Sequence, residues 1–414
     1  MITIGAALDA VLASARPLGA EEVPLVEALD RVVSETVTSP TDLPPFTNSA
    51  MDGYAVRGED LTGDRQSLRV IAEIPAGSVS VAHVGAGQAA KIMTGAPLPA
   101  GSDTVVPVEL TEPASHAVTV GSSVVIGGSV TAGANVRRRG EDLSSGATLL
   151  APGRVLGPAD LGLLAAVGLA TVRVSKRPRV AILATGSELV AVGEPLGPGQ
   201  IRDANSITAC GQVLRAGGQP RLLGIARDDR EDTCRMLAQA LEADVVVSSG
   251  GVSVGEFDLV KEMLEELGVD RRFWGVKVKP GWPLTFGVKG DTLVYGVPGN
   301  PVAAMVSFEL FIRPAILKLQ GRSDVYRPCV DAAAAERIKP TKQRVELPRC
   351  RLIRGAGGWT FARTGPQGSG ALRSMTLADG LALVPAGYPG SESGATFPIM
   401  LLDGTSNVRP PFPE

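Results

Sequence analysis

The stretch 248–258, reading SSGGVSVGEFD, combines residue types that suit an anion. Val245, Val246 and Val247 before it read as a buried strand. After it, Val260, Met263, Leu264 and Leu267 fall on one face of a helix that Gly268 ends, with Lys261, Glu262, Glu265 and Glu266 on the other face. A glycine-rich turn entering a helix leaves backbone N–H groups unpaired at the positive end of the helix dipole, where a phosphate or oxyanion is stabilised. Gly250, Gly251, Ser253 and Gly255 are therefore candidate anion-binding positions. Glu256 and Asp258 have two readings. They complement the dipole, for about 1 kcal/mol or less each, or they hold a divalent metal, most simply Mg²⁺, between carboxylate and phosphate.

Other chemistry-bearing groups recur where a strand pattern ends. Glu188 lies in TGSEL after the apolar run 180–184, Asp228 and Asp229 follow the run 221–226, and Pro298, Gly299, Asn300 and Pro301 follow Thr292–Tyr295. Helical patterns separate these runs: Asn205 or Ser206 capping a helix to Leu214, a helix over Thr233–Leu241, and a long apolar helix from Pro301 to about Leu319. Strands alternating with helices predict a mostly parallel sheet covered on both faces, and such sheets bind ligands beyond the carboxyl ends of their strands. Asn300 as N-cap and Pro301 at the first helical position are good helix-start chemistry, and the same free N–H groups would seat a phosphate. The helix from Pro301 is apolar nearly all round, which predicts burial or a subunit interface, and Pro314 predicts a kink.

Composition narrows the function classes. The 414 residues suffice for several domains. A net charge of −3 and 4% aromatic residues give no field or stacking platform for nucleic acid. Cys210, Cys234, Cys329 and Cys350 are scattered, and with only His83 and His116 available they form no zinc pattern, so they read as reduced thiols of a cytoplasmic protein. No apolar run is long enough to span a bilayer, and Asp9 interrupts what would be a leader's apolar segment.

Ahead of the α/β portion, residues 4–14 predict an amphipathic helix and Val26–Val32 a short second one. Asp52-Gly53 in FTNSAMDGYAV is a turn signal. Short alternating runs between about 68 and 136 predict a small β unit, which contains the loop KIMTGAPLPAG with Thr94 and leads into Arg137, Arg138 and Arg139, facing a phosphate or solvent. A helix and strand at 144–174 return to the first unit. The expected organisation is a discontinuous N-terminal domain (1–45 and 140–175), an inserted β domain (46–139), an α/β domain (176–321) and a C-terminal β-barrel-like domain (322–414). The last of these carries GPQGSGALRSM at 365–375.

NSAMDGYAV, IMTGAPLP, NVRRRGED, ATGSEL, SSGGVSVGEFD, KPGWP and VPGNPVAA, in this order and spacing, resemble the MoeA/gephyrin E-domain family, the molybdopterin molybdenumtransferases. The resemblance covers essentially the whole chain and implies molybdenum cofactor biosynthesis: molybdate and an adenylylated molybdopterin react, with Mg²⁺ or a similar ion, to give cofactor and AMP. It also implies an elongated homodimer in which the α/β domain of one subunit faces the inserted β domain of the other, and transient contacts with other cofactor-assembly proteins and molybdoenzymes. Carried over residue by residue, Asp258 and Asp228 match the family's metal and pyrophosphate-region aspartates, Glu188 and Asp52 its important carboxylates, and Thr94 and Asp142 its inserted-domain site residues. Asp228, Asp258 and Glu256 form the expected metal set. Lys279 and Ser374 join the glycines and the 298–301 turn as cofactor-binding positions. One departure stands out: the family's second lysine in Lys-Pro-Gly-Lys-Pro is Trp282 here. Oxyanion affinity is then weakened, or Lys277, Lys279 or Arg363 compensates. Alternatives left open are a paralogue tuned to tungstate or another pterin, and a non-catalytic scaffold of the same fold.

Overall fold

The computed structural model describes residues 1–63, 65–114, 117–227, 229–250 and 257–413, and for 257–261 the backbone alone. A six-stranded sheet organises the middle of the chain, in the order Gln219–Ala226, Arg179–Thr185, Val245–Ser249, Thr292–Val297, Thr285–Lys289, Asp270–Trp274. The first four strands are parallel; Thr285–Lys289 runs antiparallel to both its neighbours, in a hairpin with Thr292–Val297 and beside the edge strand Asp270–Trp274. Alternation along the strands explains why both faces are covered. Val180, Ile182, Val245, Val247 and Tyr295 point to one core. Ala181, Leu183, Val246 and Val294 point to a second, under the helices Arg230–Ala240 and Phe257–Glu266.

The first core is closed by the long helix. It runs as Pro301–Ser307, a π turn over Phe308–Ile312, and Arg313–Leu319. The kink expected at Pro314 is taken up by that π turn, since a proline has no N–H to continue the α ladder. The helix is buried within its own chain, so its apolarity is explained without a second subunit. Glu309 on the π turn is neutralised by Arg327 at 2.8 Å.

The predicted N-terminal helix is present as Ile4–Ser14. Its Ile4, Leu8 and Val11 are buried in the α/β core, and Lys318 Nζ donates to Leu12 O at 2.7 Å. The helix expected over Val26–Val32 is instead a single 3₁₀ turn, Leu25–Glu27. Val32 and Val33 are extended and bridge to Val155 and Val174, so β-branched residues here followed the neighbouring strand rather than helical spacing. Ala20–Pro24 pairs antiparallel with Thr171–Ser175, and Val37–Thr38 with Thr148–Leu150. Between these returns lies a second six-stranded sheet, ordered Thr104–Pro107, Gly53–Val56, Gln88–Ile92, Arg65–Ile74, Ser123–Gly127, Thr111–Glu112, with its own apolar cores. After residue 328 a closed barrel forms from Cys329–Ala334, Gly358–Arg363, Arg349–Gly355, Gly380–Ala382 and Thr396–Leu401. Among the described residues no helix is long and apolar enough to cross a membrane.

Candidate functional site

At the carboxyl ends of the parallel strands two bare backbones meet. Gly250 has φ of +90°, and a Cβ there would fall 2.2 Å from Thr185 O. Only glycine therefore turns this corner. A Cβ on Gly299 would lie 3.8 Å from Gly250 Cα, so the turns after Ser249 and Val297 are neighbours. Asn205 ties them to the adjacent helix, because its Nδ2 donates to Gly299 O at 2.8 Å. The cap expected from Asn205 or Ser206 comes instead from Asp203, whose Oδ1 accepts from Ser206 N at 3.0 Å. Next to this corner, Glu188 is exposed and folds back over Gly186, its Oε2 2.5 Å from where a Cβ would sit. Asn205 Oδ1 and Ser249 Oγ are buried without a partner among the described residues.

Pro298 is buried, while Gly299 and Asn300 are exposed at the helix start. Asn300 makes no side-chain capping bond, contrary to the capping expectation. One of the N–H groups expected to seat a phosphate is occupied as well: Pro301 has none to give, and Val302 N donates to Ser369 O at 3.0 Å. The glycine-rich C-terminal loop thus lies on the α/β ligand edge, with the Gly370 Cβ position 3.9 Å from Asn300 Oδ1.

Arg349 holds that loop. It is 1% exposed, and its guanidinium donates to the carbonyls of Pro366, Gln367 and Gly368 and to Ser374 Oγ at 2.9–3.1 Å. Burial lowers its pKa, and with four acceptors its fork is used internally. The Ser374 hydroxyl is buried, accepting from Arg349 Nε and donating to Ala371 O, so it braces the loop. Neither role was legible in the sequence, where nothing distinguishes Arg349 from a surface arginine.

The KPGWP turn packs on the same helix, since a Cβ on Gly281 would fall 2.9 Å from Ser307 Oγ. Val278-Lys279 pairs in parallel with Val345-Glu346, which carries Lys279 to the rim of a cavity of about 490 Å³ against the barrel, with Glu336, Glu346, Arg349 and Arg363 among its lining. Lys279 Nζ donates to Glu346 Oε1 at 2.8 Å. Arg363 forks onto Glu336 at 2.8 and 3.0 Å, and this hydrogen bond, outweighing burial, holds the Glu336 carboxyl below its usual value.

In the inserted sheet, Thr94 N and Oγ1 both donate to Asp52 Oδ1 at 2.7 Å. Asp52 is thus more than a turn residue: it fixes the exposed 94–95 loop. The following Gly53 is obligatory, because a Cβ would land 2.0 Å from Val106 O. Asp142 is exposed beside the Leu43–Leu143 bridge, its N–H donating to Leu43 O at 3.1 Å. Arg137, Arg138 and Arg139 are exposed, and Arg139 pairs with Asp42. Gly251, Ser253, Gly255, Glu256 and Asp228 lie outside the described residues, as does the side chain of Asp258.

Known proteins match this architecture end to end. Family profiles match at residues 2–168 (MoeA N-terminal region, domain I and II), 181–318 (probable molybdopterin binding domain) and 331–402 (MoeA C-terminal region, domain IV). The molybdopterin molybdenumtransferase 2 of Mycobacterium tuberculosis is 39% identical over 88% of this chain and 90% of that protein. The molybdopterin molybdenumtransferase of a Nostoc species is 36% identical over 92% and 88%. The crystal structure of the molybdopterin biosynthesis MoeA protein from Pyrococcus horikoshii superposes with a TM-score of 0.82 at 32% identity, covering 98% of this chain and all of that one. Sequence motifs, sheet order and these likenesses agree that the chain belongs to the molybdopterin molybdenumtransferase family of molybdenum cofactor biosynthesis.

Proposed function

We propose that this chain transfers molybdenum from molybdate to an adenylylated molybdopterin and releases AMP. The observation that carries the reading is the corner where Gly250 and Gly299 meet, roofed by the C-terminal loop and adjoining the cavity rimmed by Lys279. Bare glycine backbone admits phosphate oxygens close to the main chain, and the lysine faces the neighbouring space where an oxyanion would wait. Opening a phosphoanhydride needs charge neutralisation more than it needs a covalent nucleophile.

Among the described residues no group of three or more His, Cys, Asp or Glu side chains could hold a metal ion. The donors proposed for a divalent cation are Asp228, Asp258 and Glu256, which follow in the sequence the strands that end at Ala226 and Ser249. Those strands flank the one that leads to Glu188. Bound there, Mg²⁺ would offset the charge of the phosphates. Glu188 is exposed at the same edge and is the proposed proton-handling or ligand-orienting carboxylate.

Asp52, Thr94 and Asp142 are proposed to complete the site from a second subunit of a homodimer. They sit in and beside a sheet with cores separate from those of the α/β layer. The unpaired state of Cys210, Cys234, Cys329 and Cys350 fits a reducing, cytoplasmic setting. The test is AMP release from adenylylated molybdopterin with Mg²⁺. Release that depends on molybdate and is lost in Asp258→Ala supports the reading; molybdate-independent or absent release refutes it.

A further inference from the structure

A second cavity, of about 620 Å³, continues from the first past Lys279 and Glu346, which line both. Its other lining residues are Pro340, Lys342, Gln343 and Arg344. The cations around the two spaces are not equivalent. Lys279 is paired with Glu346, Arg363 with Glu336, and Arg349 is saturated by loop carbonyls. Lys339 and Lys342 are exposed on flexible stems. Arg344 differs from all of these. It is half-buried, makes no hydrogen bond or ion pair among the described residues, and lies with its guanidinium carbon 4.8 Å from the centroid of the Trp282 ring.

That stack is built into the backbone. Val345 N donates to Lys277 O at 3.1 Å and Leu347 N to Lys279 O at 2.8 Å, which sets residue 344 beside the KPGWP turn. Val276 N donates to Trp282 O at 2.9 Å, closing the turn, and Trp274 meets Trp282 edge-on at 5.6 Å to fix the indole plane. Arg344 sits in the bend that leads into the strand Val345–Glu346, and Arg344 and Glu346 both line the cavity. An indole face holds a guanidinium by cation–π attraction without using any of its five N–H donors. The result is a planar fork, oriented in advance, with its hydrogen bonds still to make.

We propose that Arg344, held on the Trp282 indole, is the residue of this cavity that binds the free tetrahedral oxodianion, and that it sets the enzyme's affinity for molybdate. The inference rests on the transferase reading above and deepens it. A fork suits two oxygens of one oxyanion, and the charge is available because no carboxylate neutralises it. Trp282 is then a positioning residue, acting through Arg344.

The experiment measures the molybdate dependence of AMP release for wild type, Arg344→Gln and Trp282→Ala, with calorimetric titration of molybdate alone and thermal unfolding of each protein. Losing a charge-assisted fork raises the molybdate KM and the titrated Kd by about tenfold or more in Arg344→Gln. Trp282→Ala, which keeps the charge and loses the platform, raises both about threefold, on the scale of an exposed cation–π contact. The KM for the pterin nucleotide and kcat at saturating molybdate stay unchanged in both variants, and Arg344→Gln keeps the wild-type melting temperature, whereas Trp282→Ala also loses its contact with Trp274 and melts lower. A merely structural role would move melting and both KM values together, and that result overturns the proposal. So does an unaltered molybdate KM in both variants while AMP release remains molybdate-dependent, which leaves the transferase reading standing. Absence of molybdate-dependent release by the wild type sinks the transferase reading and this inference with it.

Discussion

The Asp52–Thr94 contact and the cation-lined cavity solve opposite problems. In the inserted sheet a carboxylate is held by two neutral donors from a loop, and the glycine beside it is required by a neighbouring carbonyl. In the cavity the cations are held by carboxylates from distant sequence, Lys279 by Glu346 and Arg363 by Glu336, while Arg349 is buried as the anchor of a loop. The first is a local device. The second is complete only once the C-terminal unit has docked on the α/β layer and brought Glu346 to Lys279. A site residue's position can therefore depend on a few local hydrogen bonds or on the assembly of whole units, and substitutions should separate the two cases.

The largest effect is expected from Gly53→Ala, whose Cβ would collide with the Val106 carbonyl 2.0 Å away. Backbone against backbone has no rotamer to relieve it, so a loss of more than about 3 kcal/mol is expected in chemical unfolding. An unchanged midpoint would mean that the strand pairing yields more readily than the geometry allows. Arg349→Ala should cost about 3 kcal/mol by leaving buried loop carbonyls without a donor. It should also raise hydrogen exchange at Val302, whose N–H depends on Ser369 O. Exchange confined to the barrel would separate the loop from the helix start. Asp52→Ala removes two hydrogen bonds at an exposed loop. It is expected to leave melting within a few degrees of wild type and to lower AMP release by about 100-fold. A large melting change with modest activity loss would recast Asp52 as structural.

The smallest effect concerns pH. Hydrogen bonding from Arg363 holds the folded Glu336 pKa below the ordinary value of 4.5. A depressed carboxylate contributes stability that is fully present above its unfolded pKa and lost as pH falls through the folded one. In Glu336→Gln that acid-side loss should flatten below about pH 4.5, by well under 1 kcal/mol for a partly exposed pair. A parallel acid limb in wild type and variant would show that the pair adds nothing.

How far the sequence could be read follows the same division. The strand at 245–249, the helix at 257–266 and the closing barrel were legible because hydrophobic period and glycine punctuation are local. Gly250 and Gly299 were legible because a bare turn after a strand has few other uses. The hairpin strand Thr285–Lys289 escaped notice because Gly287 interrupts its apolar run, although Gly290-Asp291 between it and Thr292 is itself a hairpin-turn signal. Val26–Val32 misled because its apolar spacing suits a helix, while tertiary bridges to Val155 and Val174 made it extended. Trp282 was visible as a departure, yet the compensating candidates weighed were Lys277, Lys279 and Arg363. The structure pairs Lys279 and Arg363 with carboxylates and sets Arg344 on the indole. Residue 344 is 62 positions from its partner by number, and no local pattern joins them.

We propose that the inserted sheet with Asp52 and the α/β strand ends with Asp258 are halves of one site contributed by different subunits. The test is AMP release after subunit exchange between Asp52→Ala and Asp258→Ala, each expected to retain about 1% of wild-type activity or less alone. Random pairing makes half the dimers mixed, and each mixed dimer holds one site with both residues intact, so the mixture should recover about a quarter of wild-type activity. A mixture as inactive as its components, with mixed dimers verified by mass, would contradict the shared site and leave Asp52 and Asp258 acting within one chain or not together at all.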